Sequence, residues 1–388
     1  MKGVQLLGMG LHTALGFGEE EHFAALQQPP RLPTKLQVHF GPNHSTVPCH
    51  TLAHFPFDEN NLQIHERRLY DVVQHTIDHA LMRSALSAQQ IQRTAVFVGS
   101  SSFDISVSES HYRRHLLTNA HALPLAFSNS IGNLAFFIAE RFGMRGPDYS
   151  FNTACTASAN ALLYAAQMIA TGQIEHAIVV GIELANAITL LGFQSLGLLT
   201  DTLMRPFDSG RSGLAIGESC AAVVLGRSGS ASQLRLLGGA NRCDTHGISA
   251  ANPDGTSVHA VMQQALNSTQ LTTDDISAIK THGTASLLND EAEAAGLQRT
   301  FAQMPLLCAL KPYIGHTLGA CGLSELVLLY SALQRGVFPA VPGVCAQPSE
   351  LGIRFPQTLT PIAEGNFMLN YFGFGGSNTA LIVSNREH

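Results

Sequence analysis

Apolar positions in this chain come as short continuous runs of strand length, separated by stretches in which they recur every three or four residues. Val4 to Gly8 and Thr94 to Gly99 (Thr-Ala-Val-Phe-Val-Gly) are continuous runs, the second rich in β-branched and aromatic side chains, and each predicts a buried strand. Between them Glu19 to Gln27 and Glu66 to Leu86 carry helical spacing. Pro29 to His54, with its prolines and short polar stretches, predicts an irregular excursion. Ile131 to Phe142 predicts a helix ended by Gly143, and Cys155 to Thr171 another with Gly172 as its C′ cap. His176 to Gly181 predicts the next buried strand. Alternation of this kind predicts an α/β fold with helices layered on largely parallel sheets.

The second half repeats the plan of the first. Ala221 to Gly226 closes one half, Leu234 to Gly239 opens the other, and Ile276 to Thr281 takes the part of Thr94 to Gly99. Cys155 lies 17 residues before Gly172 and Gly319 lies 17 before Gly336, each pair bracketing a helix rich in alanine or leucine. A chain of 388 residues also exceeds the size at which one core keeps growing, so two core-forming halves are expected.

Composition narrows the function. Charged residues make up 13%, which implies that much of the surface is covered by another subunit, as in an obligate dimer, or is folded inward. A net charge of −6 without blocks of like charge excludes a nucleic-acid footprint, which needs clustered Lys and Arg. The seven cysteines form no C-x-x-C pair and leave an odd count, so neither a zinc site nor a disulfide framework is indicated. The amino terminus carries one lysine and a glycine-interrupted apolar run too short for a bilayer span or a secretory signal. A reducing cytoplasm is the expected compartment.

Cys155 stands where a strand-like run, Asp148-Tyr-Ser-Phe-Asn-Thr-Ala-Cys155, meets a helix of small residues. Free amides and the partial positive charge of a helix start lower a thiol pKa, so this is the candidate nucleophile. Three motifs follow: Thr281-His282-Gly283-Thr284 with Asp290 and Glu293, Lys311-Pro-Tyr-Ile-Gly315-His316 with Glu325, and Gly373-Phe374-Gly375-Gly376. Each alone reads as an ordinary turn. In this order and combination they resemble the β-ketoacyl-[acyl carrier protein] synthases, the elongating branch of the thiolase superfamily. The resemblance runs from Leu6 to Val383 and includes Arg205-Pro-Phe-Asp208 and Ile216-Gly-Glu218.

That resemblance implies a duplicated βαβαβαββ unit in a five-layer α-β-α-β-α arrangement, with residues 1–230 carrying the nucleophile and 231–388 both histidines. It implies a decarboxylating Claisen condensation that needs no cofactor and no metal. Cys155 would hold the acyl chain, His282 and His316 would stabilise the enolate, and Lys311 would fix His316 with Glu325 as its counter-charge. Asp290 and Glu293 would support the site. The N–H groups of Cys155 and Phe374 would form the oxyanion hole, and Phe374 would gate the acyl pocket. The implied partners are an acyl carrier protein, loaded with acyl or malonyl groups, and a second subunit, identical or resembling a chain-length factor. Arg67 and Arg68 match a basic pair that docks the carrier. A second pair expected ahead of Phe127 to Asn133 is replaced by Asn119-Ala-His-Ala122, with Arg113-Arg114 nearby as a substitute. Departures such as Arg211-Ser-Gly-Leu214 and Gly217-Glu-Ser-Cys-Ala221 point to a specialised member, for example in aryl polyene or polyketide synthesis. A cysteine hydrolase and a non-catalytic partner subunit are the alternative readings.

Overall fold

The computed structural model describes residues 3–40, 43–56, 62–118, 131–227, 234–248, 251–348 and 350–386. Ten strands among them carry the architecture: β1 (Val4–Thr13), β2 (Ala95–Gly99), β3 (Asp148–Phe151), β4 (His176–Glu183), β5 (Ser219–Gly226), β6 (Arg235–Cys243), β7 (Ile276–Lys280), β8 (Leu306–Cys308), β9 (Asn366–Phe372) and β10 (Ser377–Ser384). Their order is β8-β7-β9-β10-β6-β1-β5-β4-β2-β3. The first five and the last five strands are wired alike. In each set the second strand runs parallel to the third and fourth, and the fourth and first pair antiparallel with the fifth. The sheets are therefore mixed, where the alternating pattern predicted largely parallel ones. A short antiparallel contact, Val4 with Leu236 and Gln5 with Arg235, joins the two sets.

Helices fill three layers. α1 (Leu62–Ser84) covers β1 and β5, and α2 (Asn133–Phe142) covers β2 and β3. On the opposite outer face α4 (Thr256–Thr269) covers β6 and β10, with α5 (Leu287–Thr300) packed beside it. Between the sheets lie α3 (Ala157–Ala170) and α6 (Cys321–Leu333), each touching strands of both halves. Helices sandwiched on both faces must be apolar all round. The 12 residues buried in α6 include every position but Tyr330. The two inner helices also need small residues where they cross, since a Cβ on Gly322 would lie 2.2 Å from the Ala159 nitrogen. This is the five-layer, thiolase-like arrangement.

The segment 29–54 is not irregular. Thr34–Phe40 and Asn43–His50 form an antiparallel hairpin, and the second strand adds in parallel to Ile216–Gly217. Strict alternation in Thr34-Lys-Leu-Gln-Val-His-Phe40, with Val38 buried, marks it as a strand despite its polar content.

Candidate active site

The turn that carries Cys155 follows β3. Ala154–Thr156 form a single 3-10 turn before α3 starts at Ala157, so Cys155 precedes the α-helix instead of opening it. Ala154 takes a left-handed φ of 51° to make the corner. A non-glycine residue there stores strain, which is typical of a site whose geometry the surroundings over-determine. Cys155 is buried, and burial pushes its thiol pKa up to about 11. The backbone N–H groups of Phe374 and of Cys155 itself, and the Lys311 ammonium, pull the other way, while Glu183 adds to the rise. The expected lowering at a helix start is thus overturned by desolvation, and the resting sulfur is a thiol.

Both histidines come from the second half. β7 leads directly into Thr281 and His282, and the turn is held by two carboxylates. Glu293 of α5 accepts the N–H groups of His282 (2.8 Å) and Gly283 (2.9 Å). Asp290 accepts those of Thr284 (3.1 Å) and Phe207 (2.7 Å), and burial raises its pKa to about 7. His316 follows Gly315, whose φ of 73° turns the chain, and its own N–H donates to Ala215 O at 2.7 Å. The two imidazoles meet edge to face with ring centres 5.5 Å apart.

Hydrogen bonds fix which nitrogen carries the proton. The Lys311 ammonium donates to Glu325 Oε1 (2.6 Å) and to His282 O (2.7 Å), and it faces His282 Nδ1 at 3.3 Å. An ammonium has only donors, so Nδ1 must accept and Nε2 must bear hydrogen. For His316 the Leu318 N–H donates to Nδ1 at 3.1 Å, with the same result. Burial, reinforced by Lys311, holds both imidazoles well below their ordinary pKa. They are neutral, and each presents an Nε2–H. Lys311, five residues before His316, thus touches the other histidine.

Two cavities reach the sulfur. One, of about 330 Å³, is lined by Cys155, His282, His316, Phe372 and Phe374. The other, of about 480 Å³, is lined by Cys155, Ile188, Phe193, Leu196 and Phe374. The rings of Phe193 and Phe374 stack at 5.8 Å and 9° and belong to both walls. Phe374 sits where Gly375 and Gly376 take left-handed φ of 79° and 80°. A Cβ on Gly376 would lie 1.9 Å from Asp244 O.

The proposed carrier-docking pair is separated by the fold. Arg67 is exposed, but Arg68 is buried and pairs through both terminal nitrogens with Glu218, at 2.7 and 2.5 Å. Arg68 is therefore a core ion pair and cannot meet a partner. Neighbours on a helix point about 100° apart, so an adjacent pair need not share a face. Arg113 and Arg114 lie on the helix Ile105–Thr118, and Asn119 to Ala122 fall outside the described residues.

Three charged residues of the interior have roles that no motif marks: Glu183 and Lys280 lie outside the motifs, and Glu218 closes Ile216-Gly-Glu218 without an assigned part. Glu183, at the end of β4, accepts the N–H groups of Ser101 (3.0 Å), Ser102 (2.9 Å) and Gly319 (2.9 Å), tying the two halves together beside Cys155. Glu218 anchors Arg68 and accepts the N–H groups of Leu52 and Ala185. Lys280 is fully buried next to Glu325. A lysine closing an otherwise apolar strand run was the available signal for the last.

No helix among the described residues is long and apolar enough to cross a membrane. Residues 8–231 match the β-ketoacyl synthase N-terminal domain and residues 235–344 its C-terminal domain. The chain is 32% identical to the spectinabilin polyketide synthase system protein NorC of Streptomyces orinoci, over 78% of this chain and 14% of that protein. It is 27% identical to 3-oxoacyl-[acyl-carrier-protein] synthase 2 of Vibrio harveyi, over 62% of each chain. These alignments thus span less than two thirds of either relative. Among solved structures, a chain of the ketosynthase ApeO complex with its chain length factor ApeC, from Xenorhabdus doucetiae, superposes with a TM-score of 0.82 at 26% identity, covering 99% of this chain and 98% of that one. With both domain matches meeting across the two halves that share the cavity, the chain belongs to the β-ketoacyl synthase family.

Proposed function

We propose that the protein is a β-ketoacyl synthase that condenses a malonyl thioester, with loss of carbon dioxide, onto an acyl group held by Cys155. The observation that carries this reading is the convergence of one thiol and two neutral Nε2–H imidazoles on a common cavity. In the first half-reaction Cys155 sulfur attacks the acyl thioester, and the carrier thiol leaves with the proton. The oxyanion of the tetrahedral intermediate is met by the N–H groups of Cys155 and Phe374, which already point at the sulfur's surroundings. In the second, the malonyl carboxylate departs as carbon dioxide and its electron pair forms an enolate. His282 and His316 donate Nε2–H to the enolate oxygen. The carbanion carbon then attacks the acyl carbonyl, and Cys155 leaves and regains its proton.

Phe193 and Phe374 divide the space around the sulfur, which suits an enzyme that must receive an acyl chain on one side and a malonyl arm on the other. The names of two relatives, a synthase acting on acyl carrier protein and a ketosynthase paired with a chain length factor, support the same kinds of partner here. The aryl polyene or polyketide setting is part of this proposal. The test is incubation with acyl- and malonyl-loaded carrier protein followed by mass spectrometry. An acyl adduct on Cys155, carbon dioxide and a product longer by two carbons are expected. Release of free acid without elongation would make the protein a hydrolase, and no adduct at all would make it a non-catalytic subunit.

A further inference from the structure

Beneath His282 two lysines share one carboxylate. Lys311 takes Glu325 Oε1, and Lys280 takes Glu325 Oε2 at 2.5 Å. Lys280 Nζ also donates to Asn370 O at 2.7 Å and stands 3.6 Å over the ring of Tyr371. All three charged side chains are fully buried. Each ammonium meets acceptors or an aromatic face, which suits the protonated form of both. Two cations share this one anion, and the Glu293 carboxylate is the next buried acid within their reach.

Isolated burial of an extra charge is costly, and an apolar residue would pack here at less expense. The other half of the molecule does without such a charge. Lys280 pairs across the sheets with Cys308 and Leu369, and in the same register of the first half Gly99 pairs with Phe151 and Gly181. Where the second half has a buried cation, the first has no side chain at all. The remaining titratable groups around Lys280 are Cys321 on α6, Cys308 on β8, Tyr371 on β9, Glu293 on α5, and His282 and His316 themselves.

We infer that Lys280 is a positioning residue for decarboxylation: it pins one oxygen of Glu325 so that the other holds Lys311 against His282, and it supplies a second positive charge under the two imidazoles. This rests on the function proposed above. The charge disfavours a proton on His282 Nδ1 and favours negative charge arriving at Nε2–H, whereas it is not aimed at the acyl carbonyl on Cys155. Burial lowers the pKa of Lys280, with Lys311 adding to the effect and Glu325 opposing it, so the charge is lost earlier on the alkaline side than that of Lys311, which Glu325 raises.

The experiment compares Lys280→Gln, which keeps a donor near Asn370 O, with Lys280→Met, which removes charge and donor together. Carbon dioxide release from malonyl-pantetheine and acylation of Cys155 are followed across pH, with 15N NMR of the labelled imidazoles. Both variants are expected to lose at least ten-fold in decarboxylation kcat, with KM and Cys155 acylation within two-fold of wild type. The His282 titration should move to higher pH, because a neighbouring cation has gone. Folded variants with wild-type kcat and an unmoved His282 titration would overturn the inference. Should neither variant fold, 15N spectra of lysine-labelled wild type decide: two slowly exchanging ammonium signals at pH 8 support it, and a neutral Lys280 amine overturns it. Wild-type protein that neither acylates nor decarboxylates would sink the parent function instead, and the imidazole titration of the glutamine variant would still test the electrostatic claim.

Discussion

The corner that carries Cys155 has a twin that carries no thiol. In the first half Ala154 turns with φ 51°, a 3-10 turn spans Ala154–Thr156, and α3 follows; in the second Leu318 turns with φ 44°, a 3-10 turn spans Leu318–Ala320, and α6 follows. Position by position, Cys155 faces Gly319 and Asn152 faces His316. Duplication therefore supplied two strained corners, and sequence divergence gave them different chemistry. The first presents a sulfur. The second gives up its side chain so that Gly319 N–H reaches Glu183 at 2.9 Å, where a Cβ would lie 2.4 Å from Ser101 N. Three residues upstream it presents an imidazole. The same contrast extends to the interior charges: the first half places Glu183 among neutral donors, and the second places Glu325 between two ammoniums.

That contrast breaks most visibly at Glu325. Glu325→Ala strands two buried cations, and loss of one partner of a buried ion pair costs about 3–5 kcal/mol. Chemical denaturation should show at least that loss, together with collapse of decarboxylation. A stability within about 0.5 kcal/mol of wild type, the size of an ordinary surface change, would mean that the lysines are neutral in the folded protein. A smaller effect is expected at the twin corner. Gly319→Ala drives a methyl into the Ser100–Ser101 backbone, and overpacking of this kind costs about 1–3 kcal/mol. Cys155→Ala, which removes a sulfur without filling space, should be milder in stability though complete in its loss of acyl transfer. Equal stability of the Gly319 variant and wild type would show that the two corners are interchangeable in packing.

The chemistry-bearing corners were legible in the sequence because they are marked by glycines and short polar motifs that break apolar runs. Cys155, His282, His316, Lys311 and Phe374 all sit at such breaks; the fold lines one cavity with Cys155, His282, His316 and Phe374 and sets Lys311 behind His282. What the sequence concealed depends on distant partners. Arg68 looked like half of an exposed basic pair, and only the return of the chain 150 residues later brings Glu218 to it. Lys280 closes an apolar strand and resembles a lysine reaching for solvent, until α6 covers it with Glu325. The thiol of Cys155 was expected to be acidified by a helix start, yet the two sheets and two inner helices closing over it raise its pKa. Burial is a property of the packed whole, so local spacing could not report it. The hairpin Thr34–His50 is different: its alternation was readable, and prolines and histidines masked it.

In the proposed reaction the two halves divide the reacting groups: the acyl-bearing thiol stands in the first, and both enolate donors stand in the second, which also lends the Phe374 N–H to acyl transfer. The most direct test of this division measures both half-reactions in two variants, Cys155→Gln and His282→Ala, as acyl adduct formed and carbon dioxide released from malonyl-loaded carrier. Cys155→Gln is expected to form no adduct and still release carbon dioxide, while His282→Ala acylates normally and decarboxylates about 10²–10³-fold more slowly, the loss typical of one oxyanion donor. Equal loss of both half-reactions in both variants would contradict it.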